Sequence, residues 1–193
     1  MKLFVTLVFI AILGGCASGR EFVRSNEPLV LATTTYDQVV KGYGKPRRTS
    51  TLTRDGIPLK IITYSYAVAV PYTTKLATKA MVFVFNNDVL VSHDYVSSFE
   101  DEKDAVHIDD DKVKQIVKGD KKSKVIATLG TPTGEAIYPL VTPKGSSLMR
   151  YSYMASYRVP FNPTPKITRK IVKITLDSNE VVSEITSEES KPN

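Results

Sequence analysis

The 193-residue chain carries a formal net charge of +6, with 42% hydrophobic and 24% charged residues, which is typical of a globular protein with one medium or two small domains. Its basic residues are scattered, without a long basic run or a basic–aromatic motif, and this excludes the common classes of nucleic-acid-binding protein. Cys16 is the single cysteine, so a disulfide within the chain is excluded.

The N-terminal residues have the pattern of an export signal. Met1 and Lys2 are followed by an apolar run, Leu3–Leu13, which is too short to span a bilayer as a helix. The next residues, Leu13–Cys16, resemble the lipobox of bacterial lipoproteins, in which the cysteine is lipidated and becomes the first residue of the mature protein.

This resemblance implies that residues 1–15 are a signal peptide, cleaved between Gly15 and Cys16, and that Cys16 carries the lipid. Ala17 stands in place of the Asp that retains such proteins at the inner membrane, so the implied location is the periplasmic face of the outer membrane. The alternative is a free or buried thiol beside an uncleaved signal anchor. The mature chain has a net charge of +5, and residues 16–28 are predicted to be a polar lipid tether.

Two short stretches, each ending in Gly-x-Pro, predict helices. The first helix is expected to end at Gly44, ahead of Pro46, and the second at Gly130, ahead of Pro132, because glycine adopts the left-handed conformation cheaply and proline prevents the helix from resuming. The apolar stripes have i, i+3, i+4, i+7 spacing and consist of Tyr36, Val39, Val40 and Tyr43, and of Lys122, Val125, Ile126 and Leu129.

Alternating apolar residues after each Gly-x-Pro predict strands. An identical Tyr-Ser-Tyr triplet, at 64–66 and at 151–153, lies in the first of three strands in each half. Because the order of helix, Gly-x-Pro and three strands occurs twice, the chain is predicted to contain an internal duplication. The predicted fold class is α+β, with two tandem repeats that each pack a short helix or helices on a three-stranded antiparallel sheet.

The predicted boundaries place a first repeat at 29–98, a linker with the start of a helix at 99–111, a second repeat at 112–186 and a disordered tail at 187–193. An acidic cluster at 100–104 lacks the alternating ligands and central glycine of a calcium loop. A solvated linker is therefore the favoured interpretation of that cluster.

The two helices and their Gly-x-Pro ends resemble the SmpA/OmlA domain of BamE, a lipoprotein of the machine that assembles outer-membrane β-barrels. Lys121 stands where that family has Thr or Ser at the helix N-cap, and Asp120 is the alternative cap. BamE has one such unit, and the tandem arrangement is similar to that of beta-lactamase inhibitory proteins. The matching residues are Thr35, Val39, Gly44 and Pro46 in the first half, and Gly119, Val125, Leu129, Gly130 and Pro132 in the second.

Five tyrosines on the predicted strands have two interpretations. They are either core and half-exposed strand residues or a recognition surface, because tyrosine is enriched at interfaces. The five are Tyr64, Tyr66, Tyr151, Tyr153 and Tyr157.

The sequence contains no nucleophile elbow, zinc-binding helix or phosphate loop, so no enzymatic activity, cofactor or metal is predicted. His93 is predicted on a strand and His107 in the linker, and both are interpreted as structural or solvated residues. A lipidated Cys16 would also exclude cysteine catalysis.

The anchor and the resemblance to BamE together imply a non-enzymatic lipoprotein that binds other envelope proteins, as a scaffold or assembly factor in barrel assembly, secretion or appendage machinery. The alternative, implied by the tandem arrangement, is a proteinaceous inhibitor of a periplasmic hydrolase such as a beta-lactamase. A third hypothesis is a binder of lipid or peptidoglycan that uses the +5 charge. The expected partners are envelope protein subunits and the membrane through Cys16, with no nucleic acid and no small-molecule substrate.

Overall fold

The protein is mostly β: of the residues that the computed structural model describes, 52% lie in strands and 13% in helices. Gly15, Cys16 and His107 lie outside the described residues. The described residues are 18–25, 27–99, 102, 108–159 and 162–190, with the side chains of 162–165 excepted. The strands are β1 Ser18–Gly19, β2 Arg48–Arg54, β3 Ile57–Ala69, β4 Lys75–Asn86, β5 Val89–Ser97, β6 Gly134–Ile137, β7 Ser147–Val159, β8 Asn162–Leu176 and β9 Val182–Ser190. The helices are α1 Tyr36–Tyr43, α2 Asp110–Lys114 and α3 Lys122–Leu129.

The predicted α+β fold, with two tandem repeats that each pack a short helix or helices on a three-stranded antiparallel sheet, is wrong. The nine strands given above belong to one antiparallel sheet. Eight of them follow the order β1-β3-β4-β5-β6-β7-β8-β9. The remaining strand, β2, pairs with β3 on the edge that β1 also occupies, at a different part of β3. The pairing continues from the first half into the second through β5, β6 and β7. The two halves therefore share one hydrogen-bonded sheet.

The sheet also closes on itself. The start of β4 pairs with the end of β7, where Lys75 lies opposite Tyr157 and Leu76 lies opposite Ser156. Strands β4, β5, β6 and β7 consequently form a small closed barrel. This pairing covers parts of β4 and β7 that extend past their partners β5 and β6.

Three strands of this sheet were not predicted: β1, which lies in the predicted tether, and β2 and β6, whose sequences lack a strand signal for different reasons. β2 is an edge strand with almost every residue exposed, so its sequence lacks the alternation of apolar and polar residues that identifies a half-buried strand. β6 has four residues and begins at Gly134, and such a short segment gives little periodic signal. These strands, with the β4–β7 pairing, complete the single sheet.

Helices α1 and α3 have different N-caps and the same type of C-cap. Thr35 is the N-cap of α1 and forms a capping box with Gln38, whereas Lys121, the N-cap of α3, makes no side-chain cap hydrogen bond. Gly44 and Gly130 are the C-caps, with φ of 76° and 81°. Both glycines lie in the left-handed region that other residues avoid. Among the described helices, none is long and apolar enough to cross a membrane.

Two cores lie on the face of the sheet that carries the helices. The first contains Val39 of α1 and Phe83 of β4, and the second contains Val125 of α3 and Tyr151 of β7. A smaller cluster on the opposite face is built around Leu59. The helices thus cover one face of a continuous sheet at two separate places.

Two predicted unstructured segments are part of the folded body. In the predicted tether, β1 pairs with β3, and Phe22 is buried with its ring centroid 5.9 Å from that of Tyr64. The tail predicted to be disordered from residue 187 is wrong for Ser187–Ser190, because β9 continues to Ser190 beside β8. Residues 191–193 lie outside the described part of the chain.

Candidate functional site: the cleft between the two cores

An open cleft of about 670 Å³ lies on the helix-bearing face, between the two cores. Three segments bound it: the stretch before α1, the central strands β5 and β6, and α3 with the loop that follows it. Its apolar wall consists of Pro28, Leu29, Ile126 and Pro132. Its charged groups are Arg24, Glu27, Lys122 and Glu135.

The floor of the cleft is set by the pairing of β5 with β6. His93 lies directly opposite Glu135 in this register, so both side chains point to the same face. The neighbouring Gly134 allows the two strands to approach closely, because a Cβ atom there would overlap the His93 carbonyl oxygen and the Asp94 backbone. The charged floor therefore lies where β5, in the first half of the chain, pairs with β6, in the second half.

The second wall begins with the first residue of α3. Lys122 Nζ lies 3.8 Å from Glu135 Oε1 and 3.3 Å from Glu180 Oε1, so its ammonium is held between two carboxylates. Ile126, one turn further along α3, is 41% exposed. An exposed isoleucine beside a paired charge gives this wall an apolar surface with a polar border.

The first wall is the segment that precedes α1. It is fixed to the body by Phe22, which is buried in the first core, and by the hydrogen bond from the Ala32 amide to the Leu90 carbonyl of β5 at 2.8 Å. Pro28 and Leu29 lie between these two attachments and line the cleft. The position of the wall therefore depends on residues that lie outside the cleft.

His93 is neutral at neutral pH. Burial, followed by the positive charges of Arg24 and Arg150, lowers the pKa of His93 to about 4. Its Nε2 is 4.0 Å from Glu135 Oε2, which is longer than a hydrogen bond, so this carboxylate does not offset the cost of burying a charged imidazolium. Among the described residues, His93 Nδ1 is one of two buried side-chain polar atoms with no hydrogen-bond partner.

Two of the five tyrosines that were predicted as a candidate interaction surface are buried. Tyr64 and Tyr151 are 3% and 2% exposed, so they belong to the cores and present no surface to a partner. Tyr66, Tyr153 and Tyr157 are half-buried, and none of the five lines the cleft. Alternation along β3 and β7 puts these residues on the face that the helices cover, which explains their burial.

The two buried tyrosines join the Gly-x-Pro motifs to the sheet. Tyr64 Oη donates a hydrogen bond to the Gly44 carbonyl at 2.7 Å, and Tyr151 Oη donates one to the Gly130 carbonyl at 3.0 Å. Burial raises the pKa of Tyr64 to about 12 and raises that of Tyr151 as well. The motif glycines thus have structural roles, while Pro132 lines the cleft.

A polar cluster on the opposite face was not predicted. Arg150 Nη1 lies 3.0 Å from Asp94 Oδ2, and the Thr133 hydroxyl lies 3.3 Å from Asp94 Oδ1 and 3.1 Å from the Arg150 carbonyl. The side chains of Asp94 and Arg150 are 14% and 25% exposed. Asp94 on β5 and Arg150 on β7 are 56 residues apart in the sequence, and no local pattern in either strand predicts that they pair.

The titratable groups on the floor of the cleft, His93 and Glu135, are not hydrogen-bonded to each other. His93 is neutral, and Glu135 lies beside Lys122. The described residues include no group of three or more His, Cys, Asp or Glu placed to hold a metal ion. The cleft thus combines an apolar wall with charges of both signs, and an apolar centre with a polar rim is the common anatomy of protein–protein interfaces.

No family model matches the chain, and no relative was found among curated proteins. The chain is similar to the crystal structure of a Streptococcus mutans protein proposed to be a beta-lactamase inhibitor, with 13% identity over 80% of this chain and 82% of that one. The TM-score is 0.43, too low for the similarity to support a functional argument. None of these comparisons supports a BamE-like domain.

Proposed function

We propose that this protein is a non-enzymatic binding protein of the bacterial envelope, held at the outer membrane by a lipid on Cys16, and that it binds a segment of another protein in the cleft. The observation that carries the proposal is the cleft itself. It is an open groove of about 670 Å³ with an apolar wall and a charged floor, located where the two cores meet.

The charges in the cleft favour a polypeptide as the bound molecule. Arg24 and Lys122 supply positive charge, and Glu27 and Glu135 supply negative charge. A peptide can match both signs, whereas a nucleic acid presents negative charge alone. Ile126 and Leu29 provide the apolar contacts that dominate binding energy at protein interfaces.

Two kinds of protein partner are consistent with this cleft. One is a subunit of an envelope complex, for which this protein would be a scaffold or assembly factor. The other is a periplasmic hydrolase such as a beta-lactamase, which this protein would inhibit. In both cases the same wall of the cleft is in contact with the partner, so one pair of variants tests the site, and an activity assay identifies the kind of partner.

The test is a crosslinked affinity purification of the full chain from membranes, followed by mass spectrometry. Ile126→Glu puts a carboxylate on the apolar wall at an exposed position, where folding tolerates it. Leu52→Glu is the matched control, because Leu52 is also exposed (43%) and lies on β2, outside the cleft. We expect the wild type and Leu52→Glu to recover the same partner, and Ile126→Glu to recover at least about tenfold less.

The same purified proteins are then assayed against a panel of periplasmic hydrolases that includes beta-lactamases. Inhibition by the wild type but not by Ile126→Glu identifies an inhibitor. Stoichiometric recovery of envelope-complex subunits without inhibition identifies a scaffold. If all three proteins recover the same partners in equal amounts, the cleft is not the binding site, and the proposal is wrong. The mass of the N-terminal peptide separately tests the lipid on Cys16.

A further inference from the structure

The N-terminal strand leads the chain toward one end of the sheet. In the antiparallel β1–β3 pair, Gly19 lies opposite Tyr66 and Ser18 lies opposite Ala67. Moving backward along the chain therefore moves forward along β3, toward the turn that joins β3 to β4. Cys16, the predicted lipidation site, precedes Ser18 by two residues in the sequence.

That β3–β4 turn presents an aromatic side chain to solvent. Tyr72 is fully exposed, and its φ of 59° is in the left-handed region, which is unusual for a bulky residue. The turn is held by hydrogen bonds from the Thr73 hydroxyl to the Val70 carbonyl at 3.0 Å and from the Lys75 amide to the Thr73 hydroxyl at 3.1 Å. The fold thus holds an exposed tyrosine in a fixed, strained turn.

A second hairpin lies beside this turn. The Arg158 amide donates a hydrogen bond to the Thr74 carbonyl at 2.6 Å, in continuation of the β4–β7 pairing. Ile167, on the strand next to β7, is 46% exposed. We call the described residues of these two hairpin ends, 70–75, 157–159 and 166–169, the paired-hairpin tip.

The charged side chains of the tip and of the neighbouring N-terminal segment are basic, and the nearest carboxylates on β9, Glu189 and Glu188, lie opposite Lys170 and Ile171, just beyond the tip. In the tip, in Ser18–Arg20 and at the start of β2 with the residue before it, no residue is acidic, and the basic side chains are Lys75, Arg158, Lys166, Arg169, Arg20, Arg47 and Arg48. Arg47 and Arg48 line a groove of about 420 Å³ beside Ser18. Of the acidic residues in adjacent segments, Glu21 and Glu102 lie 3.9 and 3.3 Å from the Lys79 ammonium.

We infer that the paired-hairpin tip is a membrane-docking surface that rests on an anionic lipid bilayer beside the anchored cysteine. Tyrosine prefers the membrane interface, where its ring contacts acyl chains and its hydroxyl contacts headgroups. Lysine and arginine near an anionic surface strengthen binding about fivefold each. The inference rests on the membrane location in the proposed function, and it leaves the cleft available for a protein partner.

The test uses the absence of tryptophan from the chain. Tyr72→Trp places one fluorescent probe at the tip, and Leu52→Trp places a matched probe on the exposed face of β2, paired with Leu59 near the other end of β3. Each full-length lipoprotein is purified from membranes and reconstituted into vesicles of phosphatidylcholine with phosphatidylglycerol. We expect the Tyr72→Trp emission to shift to the blue and to be quenched by brominated lipid, and the Leu52→Trp emission to do neither.

Adding Lys75→Glu and Arg158→Glu to Tyr72→Trp should abolish the shift, whereas raising the salt concentration should reduce it. Quenching of the tryptophan at position 52 by brominated lipid, alone or to the same extent as the tryptophan at position 72, would overturn the inference. It would also be overturned if the emission of the Tyr72→Trp protein shifted to the blue on binding a soluble hydrolase and not on binding lipid. If Cys16 is found unlipidated, the proposed anchoring fails, and the tip is tested by adding the same proteins to vesicles. If the tip stays in water while the cleft still binds its partner, only the present inference fails.

Discussion

At the scale of the residue, Tyr64 and Tyr151 show how a single hydroxyl joins a helix end to the sheet. Each is buried in a different core, and each donates its hydroxyl proton to the carbonyl of the glycine that caps a helix. Both hydrogen bonds are partly buried, so water replaces the lost donor only incompletely when the hydroxyl is removed, which costs free energy. The tyrosines therefore contribute both apolar area and a specific polar contact.

We expect Tyr64→Phe and Tyr151→Phe each to lower the free energy of unfolding by about 1 kcal/mol, because each removes one partly buried hydrogen bond and little volume. Urea unfolding monitored by circular dichroism measures the change. Tyr72→Phe is the control, because Tyr72 is fully exposed, and it should change stability by less than about 0.5 kcal/mol. Equal losses in all three variants would contradict the role of the buried hydroxyls.

The lowered pKa of His93 predicts that the free energy of unfolding depends on pH. Its pKa is about 4 in the folded protein and about 6.5 in the unfolded chain, so between these values the unfolded chain binds a proton that the folded protein does not. The free energy of unfolding should therefore fall as the pH decreases from 6.5 toward 4, by on the order of 3 kcal/mol from this residue. His93→Gln cannot titrate and should flatten the pH dependence over that range. An unchanged slope in the variant would show that other groups cause it.

At the scale of the element, α1 and α3 are matched helices with unequal N-caps. Both have eight residues and both end at a glycine with positive φ. Thr35 accepts a hydrogen bond from the Gln38 amide, and Gln38 Oε1 accepts one from the Thr35 amide at 2.8 Å. Lys121 has no comparable contact, and Asp120, the alternative cap, instead accepts from the Val117 amide at 2.8 Å.

We expect Thr35→Ala to cost about 1 kcal/mol of unfolding free energy and Lys121→Thr to add up to about 1 kcal/mol, because threonine at the N-cap satisfies an amide at the start of the helix. Thermal and urea unfolding measure both changes. Lys118→Thr removes the same positive charge from an exposed position outside the helix and controls for the loss of charge. Equal effects of Lys118→Thr and Lys121→Thr would mean that charge, and not capping, is responsible.

At the scale of the whole molecule, the two cores share one sheet, and the closed barrel of β4, β5, β6 and β7 joins them. The Asp94–Arg150 ion pair connects β5 to β7 within this barrel, and Gly134 permits the close approach of β5 and β6. Because hydrogen bonding is continuous across this joint, neither core can open without breaking pairings that support the other. The molecule should therefore unfold as one cooperative unit.

Asp94→Ala tests this cooperativity, because it leaves the partly buried Arg150 without its carboxylate. We expect a loss of about 2–3 kcal/mol and a single calorimetric transition that moves to lower temperature. Asp111→Ala is the matched control, because the Asp111–Lys114 pair is 86% and 75% exposed and its loss should cost less than about 1 kcal/mol. Two separated transitions, with one core unaffected by Asp94→Ala, would show that the halves fold independently.

The sequence alone determined the local elements of this protein. Glycine followed by proline predicted the ends of α1 and α3, and alternation of apolar residues predicted the strands that contain Tyr64 and Tyr151, because these features depend on residues close together in the chain. It also placed His93 on a strand, as the structure has it. The lipobox at Leu13–Cys16 remains a prediction outside the described residues.

Only the tertiary structure decided how these elements combine. The single sheet depends on the exposed edge strand β2, on the four-residue β6 and on the pairing of β4 with β7, and none of these has an apolar period of its own. The cleft brings together residues from three distant segments, and Asp94 meets Arg150 across 56 residues. Long-range pairing is specified by the packing of the whole chain, because no local propensity distinguishes one partner strand from another.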